Sequence, residues 1–245
     1  MKKILPFVII ILSSLLHAQQ PTPRIIGAMP KIPHDTIRTK DAANPDREYV
    51  VIKNAKGNLT SQGEMYKGSR EGAWRIYTEA GIITRVEEYK NGIHNGASLL
   101  FTTTGMLQQD ATYKDDSLEG QKTIYINSGR IKAIENYSNG LLAGERKSYY
   151  DDGRIQEEST YKKGQRDGLC KWYLPDGNPS LEYNYITGSL EGASKEFDSK
   201  GIIKREGIYK NNMEEGEWKV YQDSILVKKL IYKQGNIVKE VKVKK

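Results

Sequence analysis

Seven glycines, Gly72, Gly96, Gly120, Gly144, Gly168, Gly192 and Gly216, stand 24 residues apart without exception. A chain in which Gly makes up 23 of 245 residues does not reach that register by chance, so one structural unit is copied in tandem. Other positions keep the same step. Five residues beyond these glycines lie the aromatics Tyr77, Phe101, Tyr125, Tyr149, Tyr173, Phe197 and Tyr221. Nine beyond lie Gly81, Gly105, Gly129, Gly153, Gly177 and Gly201, and seventeen beyond lie Tyr89, Tyr113, Tyr137, Tyr161, Tyr185 and Tyr209. Three residues past each of these tyrosines the chain reads Gly92, Asp116, Gly140, Gly164, Gly188 and Asn212.

That last series identifies the unit. After Gly, Asn and Asp best tolerate a positive φ, so the slot is a backbone requirement of a tight turn. Asn91-Gly92 and Asn139-Gly140 are also the strongest short hairpin signal. Between turns run short segments such as "AWRIYT", "IITRVEEY" and "EWKVY", in which Trp74 and Ile76 alternate with Arg75 and Tyr77. Alternation of this kind, with a turn about every 12 residues, reads as strand, turn, strand, turn. The fold class is therefore all-β, an elongated antiparallel meander of about eight 24-residue hairpin units, each touching only its neighbours. With two strands per unit about 4.8 Å apart, eight units extend roughly 75 Å.

The first unit, residues 48–71, has Met65 in the tyrosine slot. The last, from Gly216, is one residue short, which brings Tyr232 and Gly235 one place early. Degenerate outer units are what capping repeats look like. A single-layer sheet lacks a cover, and the Tyr and Phe columns suggest one: rings lining one face, burying roughly 150–250 Å² each, with their phenolic oxygens in water.

Lys2 and Lys3, an apolar run from Ile4 to Leu16 and a small residue at Ala18 describe a secretory signal over residues 1–18, too short for the roughly 20 apolar residues that span a bilayer. Residues 19–46 hold five of the eight prolines and read as an extended or disordered linker. The repeats occupy 47–240, and 241–245 form a basic tail. Export places the chain in a periplasmic or extracellular compartment. Cys170 has no second thiol to pair with and is expected to be tucked into the sheet. Of the net charge of +7, Lys2 and Lys3 contribute two; the strongly basic stretch is "VKKLIYKQGNIVKEVKVKK". Export argues against nucleic acid as its partner.

The pattern carried by "YKNGIHNGASLLF", "YSNGLLAGERKSYY", "YKKGQRDGLCKWY" and "YKNNMEEGEWKVY" resembles the MORN repeat in its bacterial variant form, the kind found in YwqK-family antitoxins. The resemblance covers residues 48 to about 240. It implies antiparallel hairpins stacked into a long curved sheet that serves as a scaffold for protein or membrane contact. For the antitoxin family it implies a protein partner neutralised by the repeats.

Candidate chemistry is sparse. His34 lies in the linker, and His94 occupies a slot held elsewhere by Leu118, Leu142, Arg166, Leu190 and Glu214, so it reads as a loop residue without the oriented partners of a catalytic base. Metal-ligand spacing is missing, and neither a metal nor a cofactor is expected. The adjacent acids Asp115-Asp116, Asp151-Asp152, Glu157-Glu158 and Glu214-Glu215 point to opposite faces of a strand and do not share a proton. The chain is read as a non-enzymatic, exported scaffold for an unknown protein partner. Glycan binding through repeated rings such as Tyr149 is the second reading, and anionic-lipid binding through the basic C-terminus the third.

Overall fold

The computed structural model describes residues 35–243. Nineteen strands form one antiparallel sheet, from Asp35–Lys40 at one edge to Asn236–Lys242 at the other, each hydrogen-bonded to its neighbours in sequence. Gln165–Arg166 and Gly168–Tyr173 share one place in the sheet, both paired with Ile155–Lys162. Among the described residues there is no helix, and substantial contacts run only between adjacent strands. The meander read from the glycine spacing is the fold.

Two kinds of turn alternate along it. At Asn91-Gly92 both residues are left-handed, with φ of 51° and 80°, a type I′ hairpin whose twist matches the strands it joins. Asp116 and Asn212, at φ 62° and 66°, take the place of Gly in this slot. Their Oδ1 atoms accept backbone N–H bonds from His94 at 3.0 Å and Leu190 at 2.7 Å. The second turn spans Thr78 to Ile82, where Gly81 N donates to Thr78 O and Thr78 N to Ile82 O. In the last unit a two-residue turn at Asp223-Ser224, both with positive φ, replaces it, which accounts for the missing residue.

Successive units are latched to each other. The turn amides of Gly92, Asp116, Gly140, Gly164, Gly188 and Asn212 donate to carbonyls of the preceding unit at 2.8–3.1 Å. Glu71, Glu119, Asp167, Glu191 and Glu215, each immediately before a period glycine, accept from the amides of Asn91, Asn139, Thr187, Asn211 and Gln234. These carboxylates are a repeated position that the aromatic and glycine spacing did not single out. Their signal was present as Glu-Gly or Asp-Gly at the same 24-residue step.

Three expectations need correction or limits. The sheet starts inside the segment read as linker: Asp35–Lys40 pairs with Arg47–Lys53 in register from Asp35↔Lys53 to Lys40↔Glu48. Thr36, Ile37 and Thr39 supply β-branched residues there, and Pro45 sits in the turn closed by Arg47 N donating to Asn44 O, a place that tolerates proline. The last strand runs to Lys242, into the residues read as tail. The signal segment 1–18, linker residues 19–34 including His34, and residues 244–245 lie outside the described residues.

The aromatic columns are not on one face. Directly opposed residues share a face, and Gly72 opposes Tyr89, so the Tyr89 series lies with Trp74 and Ile76. An odd step of five residues puts Tyr77, Phe101, Tyr125, Tyr149, Tyr173, Phe197 and Tyr221 on the other side. Nor are the phenolic oxygens left to water. Tyr89 donates to Glu87 and Tyr137 to Glu135 on one face; Tyr173 donates to Glu158 and Tyr221 to Glu206 on the other. Hydrogen-bonded to carboxylates, Tyr173 and Tyr221 are pushed up to about 12, Tyr173 mainly by burial and Tyr221 mainly by the bond to Glu206.

Candidate functional site

On the face of the Tyr89 series, one ladder of opposed residues crosses the whole sheet. Near each end it is filled by a tryptophan. The Trp74 ring covers Gly63, where an added Cβ would come within 2.6 Å of it, and Trp218 covers Gly207 in the same way. Both indoles are buried, at 2% and 0% exposure, and both N–H groups reach a backbone carbonyl, Glu64 O at 2.8 Å and Ile208 O at 3.1 Å. A guanidinium lies 4.5 Å over each ring: Arg70, from the same strand as Trp74, and Arg205, from the strand before Trp218. Val50 and Tyr89 are buried with Trp74, with Ile52 and Met65 packed against them; Leu230 and Tyr232 are buried with Trp218, with Tyr209 and Val220 packed against them.

The middle of the ladder is charged. Lys122 and Arg146 stand at the repeat position that Trp74 and Trp218 occupy in the outer units. Five consecutive strands contribute to one chain of ion pairs. Lys122 Nζ lies 3.7 Å from Glu135 Oε2, and Arg146 Nε lies 3.3 Å from Glu135 Oε1. Arg146 Nη1 then meets Glu157 Oε2 at 2.9 Å, and Arg166 Nη2 meets Glu157 Oε1 at 2.8 Å. Ser159 Oγ donates to Glu157, and Tyr137 to Glu135. The carboxylate side chains are 11% and 12% exposed. Burial pushes Glu157 up, but Arg166, Ser159 and Arg146 outweigh it and hold the carboxyl below its usual range. Arg166 also lies over the rings of Tyr161, Trp172 and Tyr185 at 5.4–5.8 Å. Burial first, then Glu135, raises the Tyr137 hydroxyl.

Beside this network the next row of the same face dips. Ala133 and Ser148 oppose each other on neighbouring strands, with Ile124 on one side and Glu157 then Trp172 on the other. The result is a cleft of about 400 Å³, also lined by Lys132, Glu135, Arg146 and Gln156.

Gly92, Gly140, Gly164 and Gly188 fall in hairpin turns and the rings on the two faces, but the seven glycines of the 24-residue step are not turn residues. Gly72, Gly96, Gly120, Gly144, Gly192 and Gly216 lie inside strands with positive φ, where the ladder register shifts, and Gly168 opens Gly168–Tyr173, so the step marks a bulge in each unit. The sequence pattern brought none of them together as a site. His94 departs from its loop reading. It is buried at 2% exposure, stacked 4.0 Å from the Tyr113 ring and 5.4 Å from that of Tyr89, because its slot points beneath the tyrosine column, where Arg70 and Arg166 also sit. Cys170 is a free, fully buried thiol, and burial raises its pKa. Adjacent Glu157 and Glu158 do face opposite ways, Glu157 into the network and Glu158 to Lys147 at 3.1 Å. Among the described residues no three of His, Cys, Asp and Glu converge as metal ligands would. The opposite face carries a second pattern in the C-terminal half, with Lys147, Glu158, Lys171, Glu182, Lys195, Glu206 and Lys219 opposed in order. Those pairs are solvent-exposed and contribute little, about 0–1 kcal/mol each.

Comparison with known proteins matches residues 142–163, 166–186 and 190–211 to the MORN repeat variant, segments that hold Arg146, Glu157 and Arg166. No curated protein matches the chain. Among solved structures, one similar chain is in a GtfA/B complex bound to UDP and GlcNAc, at 16% identity over 48% of this chain and 23% of that one, with a TM-score of 0.20. Another is in the Tc holotoxin pore of Photorhabdus luminescens, at 14% identity over 81% of this chain and 13% of that one, with a TM-score of 0.24. The chain spans less than a quarter of the length of either.

Proposed function

From a sheet that carries repeats of the MORN variant type, elements that commonly bind proteins or membranes, we propose that this chain is an exported, non-enzymatic scaffold that binds a protein partner on the face of its charged centre. One observation carries the reading: the Lys122–Glu135–Arg146–Glu157–Arg166 chain occupies an open sheet face, with Lys122 and Arg146 at the repeat position where the same protein, in its outer units, uses tryptophan. Replacing an apolar core by a buried ion network is neutral or costly for stability, so such a network earns its place by specificity. Alternating, fixed charges on an open surface steer and register a complementary partner. The family resemblance adds that the partner is neutralised by being bound, as an antitoxin neutralises a toxin.

The test immobilises the chain from Gln19 onward and challenges it with envelope extract. The native protein should retain one stoichiometric partner, and the charge-removing pair Glu135→Gln with Arg146→Gln should reduce retention tenfold or more. Equal retention by both would remove the charged centre from the proposal, and no stoichiometric partner under any condition would remove the scaffold reading. Deleting residues 2–18 should hold the protein in the cytoplasm on cell fractionation; unchanged export would refute the signal.

A further inference from the structure

We propose that the cleft between Ile124 and Trp172 is a binding site for one uncharged pyranose unit of a glycan. This goes beyond the protein-scaffold reading and does not depend on it. Ile124, Ala133, Ser148, Glu157 and Trp172 sit on adjacent places of one row, each opposed to the next. At about 4.8 Å per strand the two apolar walls start from backbones roughly 19 Å apart. Large side chains such as Ile76, Leu100 and Val220 stand in this row elsewhere, whereas here two small buried residues, Ala133 at 3% and Ser148 at 8% exposure, stand side by side, as Ser98 and Ala111 do in the neighbouring row. The cleft of about 400 Å³ that results is of the size that small ligands fill.

Its lining fits a sugar better than other ligand classes. Trp172 lines the cleft, and although Arg166 lies 5.4 Å over its ring and Tyr183 and Tyr185 meet it edge-on, the ring surface left in the cleft is what the C–H face of a pyranose packs against. Along one flank Glu135 and Glu157 present acceptors and Arg146 donors, held in place by their mutual bonds at 2.9 and 3.3 Å, so a hydroxyl finds both kinds of partner in fixed positions. Gln156 and Ser148 add neutral groups of both kinds. Lys132 and Arg146 balance Glu135 and Glu157, so the cleft carries no net charge to select an ion. A phosphate would meet two carboxylates, and a purely apolar ligand would leave the flank without partners. A peptide strand has no ladder to join, because the cleft lies in mid-sheet where backbone groups on both sides are already paired.

Titration calorimetry of the chain from Gln19 with cellopentaose, maltopentaose and an N-acetylglucosamine pentamer tests the site. At least one should bind, and Trp172→Ala should weaken it tenfold or more without altering the thermal transition by more than a few degrees. Ala133→Leu, which fills the floor while leaving every charge in place, should abolish binding. Since an inward leucine at a buried position can unfold the sheet, Gln156→Ala, at an exposed position, provides a second arm and should weaken binding about threefold. Failure of all three sugars, or binding that survives Trp172→Ala, overturns the proposal. So does inorganic phosphate or an unstructured peptide binding in the same cleft with the same mutational pattern. Partner capture is measured without sugar, so a failed titration leaves that result standing.

Discussion

The outer units and the centre of the sheet answer the same question differently. At one repeat position Trp74 and Trp218 lie flat over Gly63 and Gly207, each with its indole N–H on a carbonyl and an arginine as lid. At that position in the middle units stand Lys122 and Arg146, tied into carboxylates. A unit near an edge has few neighbours through which to bury apolar area, and a tryptophan over a glycine gathers the most area from one residue. A middle unit is held on both sides by latched turns and two ladders, so its side chains on that face can serve something other than packing.

If the ends anchor the array, they carry the largest mutational cost. Trp218→Ala should destabilise by about 3–5 kcal/mol, the usual range for truncating a buried tryptophan. Hydrogen exchange should show protection lost first in the strands near residues 203–242, since repeat arrays open from weakened ends. A cost under about 1 kcal/mol would dissolve the contrast between ends and centre.

The centre is expected to respond in a way the ends do not. Arg146→Ala leaves Glu135 and Glu157 without their shared cation, and at 22% exposure this should cost about 2 kcal/mol, less than a fully buried pair. The double replacement Glu135→Leu with Arg146→Met removes the charges together and should cost less than half as much by denaturant unfolding. Were the double variant the worse of the two, the network would be a stabilising core and its assignment to binding would fall.

Acid sharpens the same point. Glu157 has a folded pKa below its unfolded value, so its ion pairs contribute stability that is fully present above the ordinary glutamate range, about 4.3, and is lost as pH falls through the depressed folded value. Unfolding followed from pH 6 to pH 2 should give a shallower acid loss for Glu157→Gln than for the native chain. Identical slopes would mean that the centre is not held by this carboxylate.

Much of the fold was legible because its punctuation is backbone chemistry. The second residue of each regular hairpin turn is left-handed and is Gly, Asp or Asn, so Gly92, Asp116 and Asn212 announce one geometry in three letters; the first, equally left-handed, also holds Lys67, Lys163, Thr187 and Gln234 and carries no such signal. Strand alternation also read correctly for Trp74 and Ile76. The division of the rings between two faces was equally present, in the odd step from Gly72 to Tyr77, but a column seen as a column hides which way it points. The centre was hidden for another reason. Lys122, Glu135, Arg146 and Glu157 are ordinary surface letters in a chain that is 28% charged, and only the register sets the first three in one row and Glu157 in the next, within reach of Arg146. His94 was misread because its slot accepts Leu, Arg and Glu as readily, which suggests solvent when the true common feature is a place beneath a tyrosine.

The smallest expected effect tests where the difference between ends and centre resides. Asp116 turns a unit beside the centre, and Asn212 turns one beside the Trp218 end; their φ values, 62° and 66°, are close, and both accept one amide bond from the unit before. Asp116→Gly and Asn212→Gly keep the turn but delete that bond, and each should cost about 0.5–1 kcal/mol by thermal unfolding. Asn212→Ala keeps neither, and should add about 1 kcal/mol of left-handed strain. Equal costs for the two glycine variants would place the contrast wholly in the ladder side chains, with one common frame beneath them. A markedly larger cost at Asn212 would mean instead that the frame itself is tighter at the end, and that the tryptophans sit where they do because the turns there already differ.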